Sequence, residues 1–150
     1  MIPKYRVWFS EASHMITDNL ESINLQDETV TITSGYYDSF ADDYIFGSIE
    51  VAIGNAILMQ STGLKDKNGV EIYEGDIVRY TWDSPSDVNA TEKGKKVRIS
   101  KVFWSDWRAS WAVGKKSCNA NLFRFARNGN TVEVIGNIYE NKELLGDTDA

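Results

Sequence analysis

Residues 61–80 read STGLKDKNGVEIYEGDIVRY, two turn signals and two strand-forming runs within twenty positions. Asn68-Gly69 is the dipeptide that best tolerates positive φ, and it stands between Leu64 and Val70-Glu71-Ile72-Tyr73. A hairpin or tight turn is therefore expected over Asp66 to Gly69. A second turn, Glu74 to Asp76, launches DIVRYTW, in which Ile77, Arg79 and Thr81 alternate with Val78, Tyr80 and Trp82 as a strand requires. The same acids invite a functional reading, and spacing argues against it. A calcium loop in this register needs an acid at its first position, where Leu64 stands, and a bidentate Glu at its twelfth, where Gly75 stands. Glu71, Glu74 and Asp76 have no neighbouring His, Cys or Lys to share acid–base work, so surface and turn roles are expected for them.

Downstream, DSPSDVNATEKGK at 83–95 has the composition of an exposed loop. Strands are expected at 96–104, 109–115, 122–126 and 131–140. NKELLG then reads as a brief helix, capped by Asn141, with Glu143 in its first turn and Gly146 just past its end. Upstream, strands are expected at 4–10 and 28–34, with either short strands or a weak helix from Asp18 between them. The aspartate-rich GYYDSFADDYIFGS, 35–48, reads as a partly ordered connection or a short helix, and 49–62 as the most buried element of the N-terminal part. The expectation is a mainly β protein: a β-rich part at 1–60, an SH3-like small barrel at 61–146 with a short C-terminal helix, and a tail at 147–150. The barrel rests on an analogy of layout, five strands with a long first loop and a short turn before the last.

A chain of 150 residues, 42% hydrophobic and 25% charged, is long and apolar enough to build a core. Five Trp favour burial in β-structure. The single cysteine, Cys118, excludes an internal disulfide or a multi-cysteine zinc site and fits a reducing compartment. The start MIPKYRVWFSE lacks the apolar run of a secretion signal, and the longest apolar stretch, 51–59, is too short to span a bilayer, so a cytoplasmic location is expected. The net charge of −6 conceals an asymmetry: residues 1–91 hold 5 Lys and Arg against 15 Asp and Glu, a net of −10, whereas residues 92–127 hold 10 against 2, a net of +8. Such opposed segments point to an anionic partner or to contact between parts of the chain itself.

Several catalytic signatures fail on spacing or partners. GKKS at 114–117 has Ala109 where a phosphate-binding loop needs its first Gly, and Lys116 where it needs Ser or Thr. His14, the sole histidine, sits in a polar N-terminal turn, and Cys118 lies among lysines with no nearby His. What remains is EKGKKVRISKVFWSDWRASWAVGKK, where Lys93, Lys95, Lys96, Arg98, Lys101, Arg108, Lys115 and Lys116 interleave with Phe103, Trp104, Trp107 and Trp111. Cations for a phosphate backbone and aromatic faces for bases are the two ingredients of single-strand binding. Lys93, Lys95, Lys96, Arg98, Lys101, Trp107 and Arg108 are accordingly the candidate residues for a nucleic-acid or protein partner. Barrel strands also alternate core aromatics with solvated cations, and the acidic N-terminal part offers an internal counter-charge. The expected role is binding without catalysis and without a cofactor. Its rivals are a metal-dependent enzyme of nucleic-acid metabolism with a divalent ion on Asp83, Asp87 and Asp106, and a structural protein that self-assembles through a barrel edge.

LMQSTGLKDKNGVEIYEGDIVRY at 58–80 and VEVIGNIYENKELL at 132–145, together with PKYRVWFSEASHMI at 3–16, resemble the YopX family of bacteriophage and prophage proteins. The resemblance implies a β-rich fold with an SH3-like barrel in its C-terminal part, the cytosol of an infected or lysogenic bacterium, and no established activity. It supplies no catalytic residue. Lys142 stands where the family often has Pro, a first-turn helix position that tolerates either.

Overall fold

The computed structural model of the chain describes residues 4–17, 20–82, 96–127 and 130–146, with backbone alone at 34–38, 45, 46, 82, 96 and 118. It is mainly β and divides into two compact units, Met1–Gln60 and Ser61–Ala150.

In the first unit, strand β1 (Tyr5–Phe9) pairs antiparallel with β2 (His14–Ile16) and with the start of β6 (Ala56–Lys65). Strands β3 (Leu20–Asn24), β4 (Thr29–Asp38) and β5 (Asp43–Ala52) form an antiparallel meander. The core is small, formed by Val7, Ile16, Val30, Ile32, Val51 and Ala56. Of the two alternatives left open after β1, the described residues take the short strands: Leu20 and Ile23 sit in β3, paired to Ile32 and Val30. Two other expectations are corrected. The aspartate-rich stretch 35–48 is neither a loose connection nor a helix: β4 and β5 pair over ten residues each, from Thr29↔Ala52 to Asp38↔Asp43. Its aspartates serve the turn, where Asp42 adopts φ 50 and the Asp43 carboxylate accepts the Tyr44 N–H at 2.8 Å. Likewise 49–62 is not one buried element. A 3-10 turn at Ile53–Asn55 divides it, and Ile49 and Ile57 are exposed.

In the second unit, β7 (Glu71–Tyr73) pairs with the end of β6, at Ser61↔Tyr73 and Lys65↔Glu71. Strand β8 (Asp76–Trp82) lies between β9 (Lys96–Lys101) and the last strand, β13 (Glu133–Asn137). Strands β10 (Phe103–Ser105), β11 (Ser110–Lys115) and β12 (Cys118–Asn121) make a second three-stranded sheet. Ile72, Val78, Tyr80, Val102, Val113, Leu122, Phe125 and Val132 form the core, with the Tyr80 and Phe125 rings 4.8 Å apart. The expected strand 96–104 breaks at Val102, which is buried and exchanges backbone hydrogen bonds with Gly75 and Asp76. The expected strand 122–126 is instead a one-turn helix, α1 (Phe123–Ala126). Its burial explains the error: Leu122 and Phe125 are inside while Phe123 and Arg124 are out, a spacing of three rather than two.

The opening string forms its two turns, and both use buried carboxylates. Asp66, 4% exposed, accepts the N–H groups of Asn68 and Val70 on Oδ1 and that of Val134 on Oδ2, each at 2.9 Å. Asp76, 2% exposed and so not a surface group, accepts the Tyr73 N–H at 2.8 Å. Glu71 accepts from the Ser61 and Tyr73 hydroxyls at 3.0 and 3.2 Å. Gly69 and Gly75 both have φ 82, which a Cβ would oppose.

After β13 the chain closes with a 3-10 turn, Lys142–Leu145. Asn141 does not cap it through its side chain. Its Oδ1 instead accepts the Asn137 N–H at 3.2 Å, which brings the amide against Gly136, where an added Cβ would lie 2.5 Å from that oxygen. Gly136→Ala is expected to cost about 1 to 3 kcal/mol by overpacking, seen as a lower melting midpoint. Combining it with Asn141→Ala should lose less than the sum of the two single changes, because the clash goes with the amide.

Candidate nucleic-acid interface

The second sheet carries the candidate site. Strand β10 runs into a turn closed by a hydrogen bond from the Ala109 N–H to the Asp106 carbonyl, and Ala109 takes φ 50. The Arg108 N–H donates to the Ser105 hydroxyl at 3.3 Å, which fixes the turn from inside. Trp107 cannot reach the core from the tip of so tight a turn, and it is 85% exposed. Trp104, 48% exposed, meets Trp111 across the strand pair edge to face, with ring centroids 5.3 Å apart.

Strand β12 supplies the opposite wall. Arg108 donates through Nε to the Asn119 side-chain oxygen and through Nη2 to the Asn119 carbonyl, the latter at 2.7 Å. Its guanidinium lies 5.1 Å from the centre of the Trp107 ring, in cation–π range. The Asn119 amide donates to the Lys116 carbonyl at 3.1 Å and so ties down the β11–β12 turn. Together Phe103, Trp104, Trp107, Arg108, Lys116 and Asn119 line a groove of about 650 Å³, with Ser105, Asp106 and Ser117 completing it. The result is one fully presented indole, one half-exposed indole and two cations around an open concavity, with a single carboxylate among them.

Of the sequence candidates, Trp107 and Arg108 meet in this groove. Arg98 is exposed on β9 opposite Tyr80, whereas Lys101 lies opposite Ile77, and the odd spacing of the two puts them on opposite faces of the strand. Neither lines the groove. Lys96 opens β9 opposite Trp82, its side chain not described, and Lys93 and Lys95 fall outside the described residues, as does the expected loop at 83–95. Phe103, Trp104, Lys116 and Asn119 were not among the chosen candidates. Their signal was the pairing of β11 with β12, which places Asn119 beside Gly114 and folds the basic turn back toward Arg108.

Of the three acids considered for a metal, Asp106 is in the groove while Asp83 and Asp87 lie outside the described residues. Among the described residues no three His, Cys, Asp or Glu side chains gather as a metal ion would require, and no helix is long and apolar enough to cross a membrane.

The family model for the YopX protein matches residues 4–146. The chain belongs to the YopX family. Two solved structures resemble it over nearly their whole lengths. A protein from Enterococcus faecalis shares 25% identity at a TM-score of 0.60, with 97% of this chain and 99% of that one covered. Protein YopX from Bacillus subtilis shares 25% identity at a TM-score of 0.57, with 94% and 96% covered. No curated protein is significantly similar to the chain. The matched residues include both long strings of the sequence, 58–80 and 132–145, which hold the turns and strand that Asp66 and Asn141 tie together.

Proposed function

We propose that this YopX-family chain is a phage or prophage accessory protein that acts in the host cytoplasm by binding rather than by catalysis, and that its groove takes single-stranded nucleic acid. The observation that carries this reading is Trp107, 85% exposed on a tight turn and flanked by Arg108. Presenting an indole to water forgoes its burial, whereas stacking a base on it gains about 1 to 3 kcal/mol. Arg108 and Lys116 line the same groove and supply the positive charge that a phosphate backbone requires. The arrangement of the second unit supports an SH3-like small barrel as the scaffold: β8 sits between the last strand and β9, one strand bends at Val102, and a helical turn precedes β13.

Charge tests the proposal. Phosphates neutralised by the groove's two cations release counterions, so binding must weaken as salt rises. Lys116→Glu is expected to weaken binding of a labelled single strand at low salt and to flatten the log–log salt dependence by about 0.7 for the lost phosphate contact. An unchanged slope in a folded Lys116→Glu variant would remove Lys116, and the groove with it, from the binding surface.

A further inference from the structure

We infer that the single strand proposed for the groove runs on across β12 to a second stacking platform at Phe123, flanked by Arg124 and Arg127. The inference rests on the nucleic-acid reading of the groove and extends it. Strand β12 leads from one to the other. Asn119 lines the groove, and Asn121, two positions on, shares its face of the strand, while Ala120 and Leu122 turn into the core. Asn121 also stands opposite Ala112, which pairs in turn with Phe103, another residue of the groove lining. The Phe123 N–H donates to the Asn121 side-chain oxygen at 2.9 Å, so the first residue of α1 is tied to that face. Phe123 is 53% exposed, although Leu122 before it and Phe125 after it are both buried. Its ring thus forgoes the burial that its neighbours obtain.

Charge runs the same way. From Trp107 to Val132 the chain contains no Asp or Glu, whereas Arg108, Lys115, Lys116, Arg124 and Arg127 all fall within that stretch and all are exposed. In a protein of net charge −6, an acid-free run that spans the groove's indole, the whole of β12 and α1 marks a continuous surface for a polyanion. Arg124 keeps its guanidinium 5.9 Å from the centre of the Phe125 ring, which holds the cation close to the helix that carries Phe123. An aromatic face at each end of a basic track suits a ligand whose charge is continuous and whose planar groups are separately available. A single strand meets both conditions, and a duplex, whose bases are already stacked, does not. Trp107 and Phe123 therefore take different bases of one strand, and a ligand too short to reach both uses the groove alone.

Affinity against strand length tests it, with labelled thymidine trinucleotide and dodecanucleotide titrated at low salt into the full chain, Phe123→Leu, Phe123→Trp and Trp107→Ala. Leu keeps an apolar side chain without a π face, and Trp keeps the face. The wild type is expected to bind the longer strand more tightly, and Phe123→Leu to lose about 5-fold or more for it, the lower limit for one stacked base, while its trinucleotide affinity stays within about 2-fold. Phe123→Trp should bind both as the wild type does, and Trp107→Ala should weaken both. Melting midpoints of the same samples are expected to stay near the wild type, since both rings are exposed. Wild-type affinity of Phe123→Leu for the dodecanucleotide overturns the platform, and so does an equal loss for both lengths. If Trp107→Ala weakens binding in those cases, the groove stands and only its extension is refuted. A wild type that binds neither strand overturns the groove reading and the platform with it.

Discussion

Replacing Asp66 by Ala is expected to destabilise the second unit by about 3 to 4 kcal/mol. The carboxylate is 4% exposed and receives three backbone N–H groups, two from its own turn and one from Val134 on the last strand. Hydrogen bonds to a charged acceptor contribute about 1.5 to 3 kcal/mol each, and the Val134 donor would be left with no acceptor on a half-buried strand. The turn donors, nearer to solvent, recover part of their loss from water, which keeps the total below the simple sum. For a unit of this size the melting midpoint should drop by about 12 °C or more. Four of the five tryptophans, Trp82, Trp104, Trp107 and Trp111, belong to residues 61–150, so tryptophan emission reports on this unit. Asp66→Asn retains the shape but turns an amide N–H toward a backbone N–H, and its loss should be intermediate. A drop of less than about 1 kcal/mol for Asp66→Ala would mean that the turn and β13 are joined by other contacts.

That residue also marks how far the sequence could be read. The turn over Asp66 to Gly69 follows from Asn-Gly chemistry, because local φ preferences are set by adjacent residues. The second role of Asp66, receiving a donor sixty-eight positions away, is non-local and leaves no trace in spacing. The β4–β5 hairpin was missed for a related reason. Its ladder joins positions across a turn, and the aspartates of 35–48 suggested a connection where Asp42 and Asp43 make that turn. Leu122 to Ala126 was misread because five residues with two aromatics suit a strand or a helical turn equally, and only the buried pair Leu122 and Phe125 distinguishes them. At the site, composition pointed to the stretch 92–127, but strand alternation distributes its cations over different faces. The groove retains Trp107 and Arg108 and adds Trp104, Lys116 and Asn119, which only the pairing of β10, β11 and β12 brings together.

The second large effect concerns binding. In the double variant Trp104→Ala, Trp107→Ala, both indoles that line the groove are removed, while Trp111, the partner of Trp104, remains. At about 1 to 3 kcal/mol for each base stacked, affinity for a single strand should fall at least 30-fold, roughly 2 kcal/mol. The stability cost should be small for Trp107, which is 85% exposed, and about 1 kcal/mol for the edge-to-face contact that Trp104 loses. Melting curves of the same samples separate the two effects. Weaker binding together with a collapsed midpoint would assign the indoles to the fold, whereas weaker binding with a midpoint close to wild type assigns them to the ligand.

The account depends most on whether the groove receives nucleic acid. Fluorescence anisotropy of labelled single-stranded DNA, single-stranded RNA and duplex DNA, titrated with the wild-type chain at low and near-physiological salt, tests this directly. The account predicts saturable binding of the single strands in preference to the duplex, weakening with salt and accompanied by quenching of tryptophan emission. Absence of binding to any of the three at low salt would contradict it, and would leave the Trp107 groove to an acidic protein surface instead.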